Sequence, residues 1–273
     1  MKTLKKIFCM ALILTAVAGA VFAGGKKDGA AASAAQTTGN ADLDRIVKAG
    51  LLKVGVKSDV PGFGLLNPDT GKYEGMEIDM AKLLAKEIFG DENRVAFTPV
   101  TAKTRGPLLD NGDIDFVIAT FTVTEERRLT YNFSSIYYTD GVGLLTKKAA
   151  GYTGLKDLNG KTIGVAQSAT SRKAIEDGAA PLGVKVSFAE FATYPEIKAA
   201  LDSGRVDAFS VDKAILRGYL DASVGLLPDT YAPQPYGIAS KLSNKALASW
   251  VDGLITKWLG DGTIDTLIKT YDL

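Results

Sequence analysis

The segment Leu109-Asp110-Asn111-Gly112-Asp113-Ile114-Asp115 is matched, in pattern, by Leu201-Asp202-Ser203-Gly204-Arg205-Val206-Asp207. Both read L-D-x-G-x-[IV]-D. Each runs into an apolar stretch, Phe116-Val117-Ile118-Ala119 in one case and Ala208-Phe209-Ser210-Val211 in the other. Gly after a helical pattern and before an apolar run marks a helix end and a strand entry. Any α/β protein contains such junctions, but here a second strand accompanies each in the same order. Val54-Gly55-Val56 precedes the first junction as Ile163-Gly164-Val165 precedes the second. The chain is therefore expected to form two lobes of similar architecture.

The same rhythm extends outward. Leu43, Ile46, Val47 and Leu51 recur at helical spacing, and a strand is predicted at 53–57. After a turn-rich stretch, a helix with the stripe Met76, Met80, Leu83, Leu84 and Ile88 ends at Gly90. Strands near 94–99, 115–119 and 141–147 follow, with helices near 104–111 and 124–131. The second half reads strand 161–166, helix 170–178, strand 184–188, helix 194–203, strand 206–210 and helix 212–220. Helices near 244–259 and 262–271 close the chain. Alternating strands and helices predict α/β lobes with parallel sheets. Ligands bind such sheets beyond the carboxyl ends of strands. That rule places Thr120 and Asp212, just past the two equivalent strands, at one cleft.

Composition narrows the chemistry. The 273 residues carry 32 Lys+Arg against 31 Asp+Glu, no His and one Cys. The length suits two domains, and 46% apolar with 23% charged residues is an ordinary globular balance. Lacking His, the chain has neither the usual general base near neutral pH nor the commonest metal ligand. Cys9 alone forms no disulfide framework or thiolate cluster, and a net charge of +1 gives no footprint for nucleic acid. No cofactor or metal is expected. At the N-terminus, Lys2, Lys5 and Lys6 precede an apolar run from Ile7 to Val21, then Val21-Phe22-Ala23. This is the pattern of a signal peptide over residues 1–23, cleaved after Ala23. Residues 24–40 are small and polar, as in a flexible tether.

Two blocks carry a family resemblance. Gly75-Met76-Glu77-Ile78-Asp79-Met80, running on through Leu84-Ala85 to Ile88, resembles the signature of the polar-amino-acid solute-binding proteins of bacterial ABC importers (family 3), with Met76 a mild departure. Ala119-Thr120-Phe121-Thr122-Val123-Thr124-Glu125-Glu126-Arg127 is similar to that family's second block, in which two hydroxyls precede T-x-E-R. The likeness covers about residues 42–273, and Lys103 to Gly112 resembles the aspartate/glutamate-binding branch, also described as cell adhesins. It implies an α/β, two-lobed periplasmic-binding-protein fold (type II) with the ligand in the interdomain cleft. Lobe 1 would comprise 42–138 and 239–273, lobe 2 would comprise 142–235, and hinge crossings would lie at 138–142 and 235–239. The implied protein is a periplasmic monomer that hands an amino acid to ABC permease subunits.

An amino acid presents a carboxylate and an ammonium, and burying either unpaired is expensive. Arg127 resembles the family's α-carboxylate arginine; its alternative is an exposed partner of Glu126. Backbone N–H groups at the start of the helix after Gln167-Ser168-Ala169, with Thr170 and Ser171, would face the same carboxylate, unless Ser168 or Thr170 merely caps that helix. For the ammonium, Asp212 offers a carboxylate, Thr122 a hydroxyl and Thr120 a backbone carbonyl, although Asp212 also fits an ordinary N-cap. Lys57 and Ser58 end the first strand where relatives for amides or cations commonly carry an acid. With Arg105, Lys57 would suit the second carboxylate of aspartate or glutamate; as surface charges, neither would. Phe63 would stack on the ligand or anchor its loop. If only model carboxyl groups titrate, affinity should be flat between about pH 6 and 8.

Three function classes follow: a receptor for aspartate or glutamate (or another polar amino acid such as glutamine), a surface adhesin meeting host cells, and an enzyme such as a dehydratase. The last would need a carboxylate with a raised pKa. The export reading is checked by intact mass spectrometry of the protein made by its native host. The expected chain begins at Gly24 without lipid, and retention of Met1–Ala23 would contradict it.

Overall fold

The computed structural model describes residues 39–273. The signal-peptide reading, Cys9 and all but the end of the tether lie outside the described residues. Asn40 at that end caps the first helix, Ala41–Ala49, by accepting from the Leu43 N–H at 3.1 Å.

Two sheets form the core. In the first, Val95–Pro99, Leu52–Val56, Phe116–Ile118, Ala239–Lys241 and Tyr131–Phe133 lie side by side in that order. In the second the order is Ser187–Phe191, Thr162–Ala166, Ala208–Asp212, Tyr138–Lys147 and Val224–Leu226, with Tyr231–Tyr236 also paired to Tyr138–Lys147. The three leading strands of each sheet are parallel, as the alternation predicts. The remaining strands are antiparallel, which corrects the expectation of purely parallel sheets. Each of those pairs involves Tyr138–Lys147 or Ala239–Lys241, strands that the chain enters without a helical crossover.

The repeat has a physical cause. Ile114 and Val206, its β-branched positions, press on the glycines of the neighbouring first strands. A Cβ on Gly55 would lie 2.6 Å from Ile114 Cδ1, and one on Gly164 would lie 3.3 Å from Val206 Cγ2 and 2.6 Å from Ile197 Cγ2. The terminal aspartates then close matching two-bond rings. Asp115 donates its N–H to the Lys53 carbonyl (2.8 Å) and accepts the Lys53 N–H at Oδ2 (2.9 Å). Asp207 does the same with Thr162, at 2.7 and 2.9 Å. Each repeat thus pins the start of its sheet's first strand and fixes where the neighbouring strand emerges.

Several boundaries differ from expectation. The helix expected at 124–131 is only Glu125–Arg128, because Tyr131–Phe133 pairs with Ala239–Lys241 as a sheet edge. The strand expected at 184–188 is Ser187–Phe191, since its pairing with Thr162–Ala166 begins at Ser187. Asp212 ends a strand, and the following helix is the short Lys213–Arg217. A small antiparallel sheet, Asp59–Val60, Gly64–Leu66 and Tyr73–Glu74, occupies the segment taken only as loop. The chain enters the second sheet along Tyr138–Lys147 and leaves along Tyr231–Tyr236, with Tyr138 opposite Tyr236. The terminal helices Lys245–Gly260 and Thr263–Thr270 pack back beside the first sheet, where Asp252 accepts from the Ser135 N–H at 2.6 Å. No helix among the described residues is long and apolar enough to cross a membrane.

Replacing Asp207 with Ala leaves the Thr162 N–H without its partner. Urea unfolding should show a loss of about 1–3 kcal/mol, and an unchanged midpoint would contradict the bracketing role.

Candidate functional site

Two strained turns stand at the carboxyl ends of the parallel strands. Thr120 follows Phe116–Ile118 with φ +43°, and Ser168 follows Thr162–Ala166 with φ +61°. Non-glycine residues in this region cost on the order of 1–3 kcal/mol and persist where surroundings over-determine them. At Thr120 the N–H donates to Glu77 Oε1 (2.6 Å), and the carbonyl accepts from Arg105 Nη1 (3.2 Å).

Arg105 opens the helix Arg105–Asn111 and is 4% exposed. Its Nη1 also donates to the Ala119 carbonyl at 2.7 Å, and its guanidinium carbon lies 3.9 Å from the centre of the Phe121 ring. Arg127 stands against the same ring at 4.8 Å. The Thr124 hydroxyl accepts the Arg127 N–H at 3.1 Å, capping the short helix. The Arg127 side chain donates to the Thr122 carbonyl (2.8 Å) and across the cleft to the Ser168 carbonyl (3.2 Å). Burial, reinforced by the neighbouring Arg105, pushes Arg127 down to about 9. Among the described residues no carboxylate reaches ion-pair distance of either guanidinium. The alternative of an Arg127–Glu126 pair is therefore not what the structure shows.

Across the cleft, Asp212 is 5% exposed at the end of Ala208–Asp212. It occupies the N-cap position of Lys213–Arg217, yet its side chain makes no cap hydrogen bond. Asp140 of the crossing strand caps the helix instead, accepting the Ala214 N–H at 2.7 Å. Asp212 is thereby released to accept from the Tyr236 hydroxyl and to face the two arginines, whose fields reach it. Burial outweighs those partners and raises its carboxyl to about 7.

Thr122 and Thr170 come together on a residue that the sequence did not single out. Their hydroxyls donate to one oxygen of Gln234, Oε1, at 2.8 and 2.7 Å. Gln234 Nε2 donates to the Ala232 carbonyl, which fixes the amide's orientation. With their protons spent, both hydroxyl oxygens remain only as acceptors, suiting an ammonium better than a carboxylate. Thr170 makes no side-chain cap to the helix Ser171–Ala179. Among the described residues, the buried Ser171 hydroxyl finds no hydrogen-bond partner, nor do Thr120 Oγ1, Arg105 Nε and Glu77 Oε2. A cavity of 730 Å³ opens beside Arg127, Thr122, Thr170 and Gln234.

Lys57 is buried as well, but its charge has partners. Its Nζ lies 3.0 Å from Asp59 Oδ1 and 4.4 Å above the Tyr194 ring, and burial lowers its pKa. Neither it nor Arg105 is the surface charge of the alternative reading. Ser58 lines a separate 280 Å³ cavity with Asp59, Thr101 and Thr193. Phe63 is fully buried, edge-on to Tyr138 (5.2 Å) and Tyr236 (5.8 Å), so it anchors the crossing strands. Of the expected residues, Thr122, Arg127 and Thr170 line the 730 Å³ cavity. Arg105, bonded to the Thr120 carbonyl, and Asp212 lie near enough to act electrostatically on Arg127, and Arg105 acts likewise on Lys57. Ser58 instead lines its own cavity, and Phe63 sits in the core. Glu77, Phe121, Tyr194, Gln234 and Tyr236 were missed as site residues; Glu77 and Phe121 had a signal, their places in the blocks at 75–80 and 119–127.

The chain matches the family described as bacterial extracellular solute-binding proteins, family 3, over residues 52–272. It is 43% identical over 223 residues to a glutamine-binding protein of Geobacillus stearothermophilus, covering 81% of this chain and 83% of that one. To the ABC transporter glutamine-binding protein GlnH of Bacillus subtilis (strain 168) it is 38% identical over 271 residues, covering 98% and 97%. Among solved structures, the ancestral amino acid-binding protein AncCDT-1, a precursor of cyclohexadienyl dehydratase, superposes with a TM-score of 0.74 at 31% identity, covering 84% of this chain and 98% of that one.

The raised carboxyl overturns the expectation of flat pH dependence. Asp212 meets a cation only when ionised, and its carboxyl sits at about 7. Affinity for an α-amino acid should therefore fall from pH 8 to pH 6 by up to about tenfold, one pKa unit of proton competition. Asp212→Asn should flatten the profile in calorimetric titration; a steep profile in that variant would contradict the assignment.

Proposed function

The chain belongs to the bacterial extracellular solute-binding proteins, family 3, and we propose that it is the receptor of an ABC importer for an acidic amino acid, glutamate or aspartate. Arg127, with the N–H groups of the Ser171–Ala179 helix, takes the α-carboxylate. Asp212, the Thr122 oxygen and the Thr120 carbonyl take the ammonium. Regions 42–138 with 239–273 and 142–235 act as lobes, and they close by bending at 138–142 and 235–239. The closed form is what the permease meets. Export with cleavage after Ala23 delivers it to the periplasm.

The observation that carries the acidic side chain is Arg105 Nε, a buried charged donor without an acceptor among the described residues, with Lys57 close enough to disfavour its charge. A second carboxylate supplies that acceptor and offsets both cations. The glutamine reading also has support. Two relatives of 43% and 38% identity are named for glutamine. Lys57 is already paired with Asp59, and Arg105 already holds two carbonyls. On that reading an amide oxygen meets Arg105 Nε and no further charge is buried. A receptor is favoured over an enzyme because AncCDT-1 is itself described as amino acid-binding. Nothing in the site calls for the adhesin reading.

Calorimetry on the wild type and two variants separates these cases. Arg127→Ala should weaken glutamate, aspartate, glutamine and asparagine together by about a hundredfold or more, the 3–5 kcal/mol of a broken buried pair. On the acidic reading the wild type prefers glutamate to glutamine, and Lys57→Gln shrinks that preference roughly tenfold by removing one buried cation. A wild type that prefers glutamine would overturn the acidic reading and establish the amide one.

A further inference from the structure

Glu77 lies in the first turn of the helix Met76–Phe89 and is wholly buried. No lysine or arginine forms an ion pair with it among the described residues. Burying a carboxyl on these terms is costly, and burial raises it to about 7. Its partners explain the position. Oε1 accepts the Thr120 N–H at 2.6 Å and also the Tyr137 hydroxyl. Thr120 is a β-branched residue at φ +43°, where L-residues are disfavoured. Tyr137 immediately precedes Tyr138–Lys147, and its N–H donates to the Tyr236 carbonyl of the returning strand at 3.1 Å. One oxygen therefore joins the strained turn to the place where both crossing strands meet.

We propose that Glu77 is a positioning residue of the binding site: by accepting from Thr120 and Tyr137 at one oxygen, it holds the Thr120 turn in the conformation that presents its hydroxyl and carbonyl to the ligand, in register with the crossing strands. The proposal rests on the amino-acid reading of the cleft but requires no contact between Glu77 and the ligand. Neighbouring charges act only in support. Arg105 and Lys57 favour the ionised form, while the Tyr137 and Thr120 bonds hold the carboxyl in place. Because every α-amino acid meets Thr120, losing the turn should lower affinity without regard to the ligand's side chain.

Glu77→Gln keeps an oxygen where Oε1 stands, whereas Glu77→Leu removes the acceptor. Calorimetry should find Glu77→Gln within about threefold of the wild type, and Glu77→Leu weaker by roughly tenfold or more for glutamate and glutamine alike, the loss of a charge-assisted hydrogen bond. Two results overturn the proposal: near-wild-type affinity in Glu77→Leu, or an equal loss in a folded Glu77→Gln. Should Glu77→Leu not fold, the amide spectrum of the ligand-free wild-type protein decides. The Thr120 N–H should resonate far downfield, as a short bond to a carboxylate requires, and move upfield in Glu77→Gln. An ordinary Thr120 shift in the wild type overturns the proposal. A downfield shift in a protein that binds no amino acid would overturn the amino-acid reading while the Glu77–Thr120 bond stands.

Discussion

The structure depends on holding two guanidinium groups, the buried Arg105 and the half-buried Arg127, without carboxylate partners among the described residues. Arg105 and Arg127 flank the Phe121 ring and spend their donors on backbone carbonyls, Ala119 and Thr120 for one, Thr122 and Ser168 for the other. Carbonyl dipoles and a ring face compensate a guanidinium only in part. Its downward shift to about 9 shows that Arg127 is under-compensated. Asp212 feels the complementary pressure from the other sheet, its carboxyl pushed up to about 7. On the proposed reading, a zwitterion between them would supply a carboxylate to one and an ammonium to the other, turning each partner's desolvation into a source of affinity.

Around that constraint the framework is arranged to leave the right atoms uncommitted. Asp140 caps the helix after Asp212, so Asp212 need not. Gln234 takes the protons of Thr122 and Thr170, so both oxygens remain acceptors. The repeated aspartates, Asp115 and Asp207, fasten the two sheets in the same way, so Thr120 and Asp212 arise at the ends of equivalent strands. Polar atoms satisfied within the framework set the direction in which the remaining ones face the ligand.

Much of this was legible in the sequence. The repeat around Gly112 and Gly204 predicted two similar halves, and helical spacing located most helices to within a few residues. What failed did so for identifiable reasons. Tyr231–Tyr236 contains Pro233 and Pro235, which argue against a strand unless it lies at an edge, and this one pairs with Tyr138–Lys147, with one isolated bridge from Tyr236 to Thr122 on its other side. The hairpin strands at 59–74 are too short for a period to show. The arginines are nominated by the family resemblance and Asp212 by the repeat together with that resemblance, but their partners are backbone carbonyls and a tyrosine from remote segments. For that reason Lys57 looked like a free cation and Asp212 like an ordinary carboxyl. Gln234 carries no local pattern, and Glu77 shows only as a member of the block at 75–80, since their roles come from what the fold brings to them.

On the proposed reading, Arg105, Arg127, Lys57 and Asp212 are arranged around an amino acid with an acidic side chain. A crystal structure of the protein with glutamate tests it most directly. The account predicts the α-carboxylate on Arg127, the ammonium on Asp212, and the side-chain carboxylate within about 3.2 Å of Arg105 Nε, ordinary hydrogen-bond range. A glutamate whose ammonium lies away from Asp212, or whose side chain reaches neither Arg105 nor Lys57, would contradict it.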